Sequence, residues 1–163
     1  MDASMKGYEV LEIAEKIERN GARFYRRAAA MVQDASVSAF LVQLAQWESQ
    51  HVKVFRAMKQ RSVEQKWEIG DVAPKRDGGS DAHSLAGLAV FGLQPNPADE
   101  LTGETTRADV LRIAIEKEKD SIVYYTGLKD LIPSEKDRKL IEDIIQEEMK
   151  HVRILAQSLE QLE

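Results

Sequence analysis

The sequence repeats its chemistry at an interval of 100 residues: Glu18, Tyr25, Glu48 and His51 return as Glu118, Tyr125, Glu148 and His151. Apolar positions keep the same offset, in the pairs Val10/Val110, Leu11/Leu111, Ile13/Ile113, Ala14/Ala114, Leu41/Ile141 and Leu44/Ile144. Two homologous helical hairpins are the simplest account. Glu followed by Glu-x-x-His, taken twice, is also the ligand set that carboxylate-bridged two-metal centres use inside four-helix bundles.

Local pattern supports an all-α fold. From about Tyr8 to Met31, apolar residues recur at helical spacing with charges between them. Asp34 then reads as the N-cap of a second helix striped by Val37, Phe40, Leu41, Leu44, Val52 and Phe55. Thr106 with Asp109 is a capping-box start for a third helix, and Pro133 with Ser134 marks a stop and a fresh cap for a fourth. The expected organisation is one domain over 1–163: a hairpin at 5–60, a crossover at 61–105 and a second hairpin at 106–162. Lys66 to Val72 reads as extended, and Asp81 to Leu93 as a short helix capped by Ser80. A connector this long is explained if the second and third helices run parallel, so that the chain must climb back along the bundle.

Residues three apart on a helix project only about 60° apart, so Glu48 and His51 share a face, as do Glu148 and His151. With Glu18 and Glu118 they form a set suited to two Fe(II) or Mn(II) ions, Glu48 and Glu148 bridging and Glu18 and Glu118 terminal. Four carboxylates neutralise two divalent cations. Without metal, acids pressed together should take up protons with raised pKa values. Tyr25 and Tyr125 lie two turns beyond Glu18 and Glu118 and lean back toward them, where each hydroxyl could donate to a carboxylate of a neighbouring helix. Glu147 shares a face with His151, but its counterpart is Trp47; Glu15 and Glu116 lack acidic counterparts too, facing Ile115 and Lys16. His83 has no acidic partner at ligand spacing, and Trp47 and Trp67 read as packing residues.

Cysteine is absent, which excludes disulfides, iron–sulfur clusters, thiolate zinc and thiol nucleophiles. A net charge of -5 argues against nucleic acid or an anionic membrane as partner. No stretch is apolar enough to span a bilayer and the N-terminus has no signal-like apolar run, so a cytoplasmic location is expected.

These residues resemble the rubrerythrin-like branch of the ferritin-like superfamily. Its pattern, Glu-x-x-small-x-x-aromatic-Tyr followed by Glu-x-x-His, stands here as Glu18-Arg-Asn-Gly-Ala-Arg-Phe-Tyr25 with Glu48-Ser-Gln-His51, and as Glu118-Lys-Asp-Ser-Ile-Val-Tyr-Tyr125 with Glu148-Met-Lys-His151. The resemblance implies a ferritin-like bundle with a non-haem di-iron oxidoreductase site that reacts with hydrogen peroxide or dioxygen, in the context of oxidative stress. Rubrerythrins often add a cysteine-ligated rubredoxin domain; this chain has no Cys, so its electrons would come from a separate partner. Rubrerythrins proper also carry a further glutamate three residues after the third-helix ligand, where this chain has Ser121. The alternatives are iron handling by ferroxidation with storage or delivery, a dimanganese catalase-like site, and a metal-free bundle. A homodimer is expected through Leu85, Leu88, Val90, Phe91 and Leu93 of the connector.

Overall fold

The computed structural model describes residues 6–68 and 101–162. Four helices fill them: α1 (Gly7–Met31), α2 (Ala35–Glu64), α3 (Arg107–Leu131) and α4 (Glu135–Glu160). The expected caps are in place. Asp34 accepts hydrogen bonds from the Ser36 and Val37 amides, Thr106 and Asp109 form a reciprocal capping box, and the Ser134 hydroxyl accepts from the Asp137 amide. Each hairpin turns through three residues, 32–34 and 132–134, which begin extended at Val32 and Ile132.

Helix directions follow from contacts between the hairpins. The Tyr124 hydroxyl, late in α3, donates to the Val10 carbonyl, early in α1, so those helices are antiparallel. Arg61, near the end of α2, pairs with Asp137 at the start of α4, making that pair antiparallel as well. Arg107 meets Asp34 at 2.8 Å, bringing the starts of α2 and α3 to the same end. These two helices are therefore parallel, as the connector length requires. At about 1.5 Å per residue, the 30 residues of α2 separate its ends by roughly 45 Å.

The core is divided in two. One apolar cluster joins Val10, Leu11, Ala14 and Ile17 of α1 to Phe55 and Met58 of α2, Tyr124, Tyr125 and Leu128 of α3, and Ile141, Ile144 and Ile145 of α4. The other joins Phe24, Tyr25 and Ala28 of α1 to Leu41 and Leu44 of α2, Val110, Leu111 and Ala114 of α3, and Leu155 of α4. Each cluster contains the beginning of one hairpin's first helix and the end of the other's. Between them, at mid-height, lie the repeated glutamates and histidines.

The second helix continues to Glu64, four residues past the expected hairpin boundary at 60. Lys66 then turns in the left-handed region at φ 51, so the extended stretch expected from this residue begins later. Trp67 folds back to donate its amide to the Ser62 carbonyl, and its own carbonyl accepts from Gly7 at 3.2 Å. Glu68 bridges Lys6 in antiparallel fashion. A Cβ on Gly7 would come within 2.9 Å of the Trp67 Cβ, so glycine lets the two segments close over the bundle end. Residues 69–72 of that stretch lie outside the described residues, with the helix expected at 81–93, its Ser80 cap, His83 and the apolar residues from Leu85 to Leu93.

Candidate metal centre

All six repeated acids and histidines come together. Glu18 and Glu148 are fully buried, and Glu48, Glu118, His51 and His151 nearly so. They form two overlapping groups, each able to offer four ligand atoms within 4.8 Å of one another: Glu18, Glu48, His51 and Glu148, and Glu48, Glu118, Glu148 and His151. Glu48 and Glu148 belong to both, which is the sharing expected of bridging carboxylates. Glu18 and Glu118 each belong to one.

The imidazoles turn Nδ1 inward. His51 Nδ1 lies 2.9 Å from Glu148 Oε1 and 3.3 Å from Glu18 Oε2. His151 Nδ1 lies 2.8 Å from Glu148 Oε2 and 3.7 Å from Glu118 Oε1. The tyrosines reach across the hairpins: Tyr25 on α1 donates to Glu118 on α3, and Tyr125 on α3 donates to Glu18 on α1. Each phenol is buried and sits beside acids, so burial first and then those charges hold its pKa well above 10. The hydroxyls remain donors.

The titrations express crowding. Burial, then the charges of Glu18, Glu148 and Glu118, push the Glu48 carboxyl well above its usual range. Burial and Glu148 do the same to Glu118. Glu148 moves the opposite way: burial resists ionisation, but the protons that Glu118 and His151 turn toward it and the close, positively charged His51 ring outweigh burial and lower the pKa. Burial also resists a charged His51 ring, yet the charge of Glu18, the close contact with Glu148 and the hydrogen bond to Glu18 raise it to about 12. The corresponding bonds to Glu118 and Glu148 overcome burial to raise His151 to about 9. Protons thus stand where cations would otherwise balance the acids.

Two observations test whether a pair of divalent cations fits. Among the described residues, Glu48 Oε1 is buried without a hydrogen-bond partner, and Glu148 Oε1 meets His51 Nδ1 out of line for a hydrogen bond. Leaving a carboxylate oxygen so placed is costly unless something positive faces it. Gly21 supplies the second observation: a Cβ there would lie 2.7 Å from Glu48 Oε2, so the missing side chain leaves the space that this carboxylate fills. The donors are oxygen and imidazole nitrogen only, which suits iron or manganese. The residues fit a two-metal site.

Other acids sort as the repeat suggests. Glu116 is exposed and pairs with Lys119 at 2.8 Å. Glu15 is buried but bound to Arg19, Arg56 and Lys59, outside both ligand groups. Glu147 also stands outside them, yet its Oε2 lies 2.8 Å from His51 Nε2, a contact that the unequal pair Glu147/Trp47 did not foretell. Trp47 packs as expected, but on a histidine: its ring stacks on His151 at 4.8 Å and 13°. Gly21 was legible as the small residue of the Glu-x-x-small pattern, but that it makes room for Glu48 was not.

Neither protein-family models nor curated proteins include a match to this sequence. Two solved structures are similar. A candidate ferritin-like diiron-carboxylate protein from Thermotoga maritima matches over 100% of both chains, with 26% identity and a TM-score of 0.71. KatB, a manganese catalase from Anabaena PCC7120, matches over 99% of this chain and 75% of its own, with 19% identity and a TM-score of 0.64, a likeness of fold.

Proposed function

We propose, from the premise that this chain is a member of the ferritin-like superfamily, that it is a rubrerythrin-like oxidoreductase with a non-haem di-iron site that reacts with hydrogen peroxide or dioxygen. The observation that carries this reading is the pair of overlapping buried ligand groups sharing Glu48 and Glu148. In it, Glu18 and His51 would hold one cation and Glu118 and His151 the other. When bound, two redox-active ions would supply the two electrons needed to cleave an O–O bond.

The chain's own groups do the rest. Tyr25 and Tyr125 hold Glu118 and Glu18 by hydrogen bonds from across the bundle, which fixes the orientation of each terminal carboxylate. The two apolar clusters close the layer above and below, limiting water to what the site itself admits. Glu48 and Glu118, whose carboxyl pKa values burial and neighbouring acids raise in the metal-free protein, would give up protons to make room for cations. These 163 residues hold no cysteine, so we assign the returning electrons to a donor outside them.

Anaerobic loading with Fe(II), metal analysis and stopped-flow absorbance after mixing with peroxide or air-saturated buffer test the proposal. Two irons per chain and rapid oxidation are expected. Protein that loads iron yet is inert to both oxidants would falsify the activity. Oxygen release from peroxide by the Mn(II)-loaded protein alone would move the reading to a catalase.

A further inference from the structure

The two histidines occupy equivalent stations, but their outer sides do not. Four residues before each Glu-x-x-His histidine, on the helix packed against the other one, the first hairpin carries Trp47 and the second Glu147. Trp47 therefore stacks flat on His151, while Glu147 accepts a hydrogen bond from His51 Nε2 at 2.8 Å. His51 is buried and the Glu147 side chain is 55% exposed, so this contact ties an interior imidazole to an acid at the surface. The two rings are 6.5 Å apart.

Resting on the two-metal reading above, we propose that Glu147 is a positioning residue for His51 and makes the two cation positions unequal, the position at His51 filling first. An imidazole can bind a cation through Nδ1 only when its proton sits on Nε2, and a carboxylate on Nε2 holds it there. The same acceptor fixes the ring's rotation and increases the electron density that Nδ1 offers. An indole face does neither. It fixes the plane of His151 by stacking and, among the described residues, leaves its outer nitrogen without a charged acceptor, so the second position has the weaker histidine. The asymmetry belongs to this chain's residues 47 and 147 and not to the repeated ligand set.

Trp47 also reports on the outcome, because a cation at His151 enters next to its ring and alters its emission. The full chain is titrated anaerobically with Mn(II), following free Mn(II) by electron paramagnetic resonance and indole emission by fluorescence, with Trp47→Phe identifying the Trp47 signal. Two steps are expected, the first leaving Trp47 emission unchanged and the second altering it. Glu147→Gln should weaken the first step about tenfold and Glu147→Leu up to about 100-fold, the range typical of lost carboxylate support, with a smaller effect on the second. In the Zn(II)-loaded protein, the His51 Nε2 proton should give a slowly exchanging downfield resonance that moves upfield in Glu147→Gln; a merely structural role would leave it in place. Equal steps, a first step that alters Trp47, or affinities unchanged in both Glu147 variants overturn the inference while leaving the metal site standing. Failure of the unaltered protein to bind Mn(II) at all overturns both.

Discussion

Each hairpin places two glutamates and a histidine at matching positions, and each holds one of the other's glutamates through a tyrosine, yet the two differ in much of what packs around those side chains. In the first, Glu48 rests against Gly21; in the second, position 121 is a serine whose hydroxyl donates to the Lys117 carbonyl at 3.1 Å. Position 15 is a buried glutamate tied to Arg19, Arg56 and Lys59, whereas position 115 is a buried isoleucine. Phe24 packs edge-on to Tyr25, while Tyr124 adds a hydrogen bond to the Val10 carbonyl. The contrast teaches which constraints are strict. Cations fix ligand type and position, whereas a helix core accepts any filling that buries apolar area and satisfies its polar atoms.

The largest test of that contrast is Gly21→Ala. A methyl 2.7 Å from Glu48 Oε2 must displace the carboxylate, so affinity for Mn(II) should fall roughly ten- to 100-fold, as for other disturbances of ligand orientation. The metal-free protein should meanwhile gain up to about 1 kcal/mol from the better helix former. Calorimetric titration and thermal melts with and without metal would show the opposite signs, and Ser121→Ala should show little of either. An unchanged affinity in Gly21→Ala would remove Glu48 from its proposed bridging place.

The next effect is on pH dependence. Glu48 and Glu118 have folded-state pKa values raised above 4.5, and His51 and His151 are raised from 6.5 to about 12 and about 9. For all four the folded state binds more protons than the unfolded state, so stability falls as pH rises. The histidine contribution is complete below about 6.5 and is lost as pH climbs through 9 toward 12. Melts of metal-free protein between about pH 5.5 and 9.5 should decline by several degrees. Saturating Mn(II) should reverse the slope, because binding releases those protons.

Two smaller tests exchange residues between hairpins. Glu15→Gln should cost about 1–2 kcal/mol in denaturant unfolding, a modest figure because Arg19 and Arg56 are about half exposed. Glu15→Ile, borrowing the second hairpin's residue, should recover most of it, since the freed cations can return to water. Tyr124→Phe should cost about 1 kcal/mol, one buried hydrogen bond, with no change in metal affinity. A large loss of metal binding in either exchange would mean that the packing differences are not independent of the site.

Much of this was legible before any coordinates. The convergence of the six repeated acids and histidines was, because a helix converts a spacing of three into a shared face and the interval of 100 separates Glu48/Glu148 from local distractors such as Glu147. The direction of Tyr25 and Tyr125 followed from the tilt of helical side chains toward the N-terminus. What escaped depended on how one helix is rotated against another. The contact from Glu147 to His51 crosses between α2 and α4, and the three cations on Glu15 come partly from α2, so neither follows from spacing within one helix. The end of α2 was hidden for a different reason: Ser62, Val63 and Glu64 carry no stop signal, and the break comes from Lys66 and from Trp67 closing back on Ser62.

The crossed hydrogen bonds of Tyr25 to Glu118 and Tyr125 to Glu18 mean that neither half holds its own first-helix glutamate in place. Each lends its phenol and borrows the other's, the reciprocal bargain that two identical subunits strike about a dyad. A single half, made alone, would carry every residue type the chemistry demands and still need a twin. Joining the halves in one polypeptide turns that encounter into an intramolecular one, and it frees positions 47 and 147 to diverge, which the strict symmetry of a homodimer forbids.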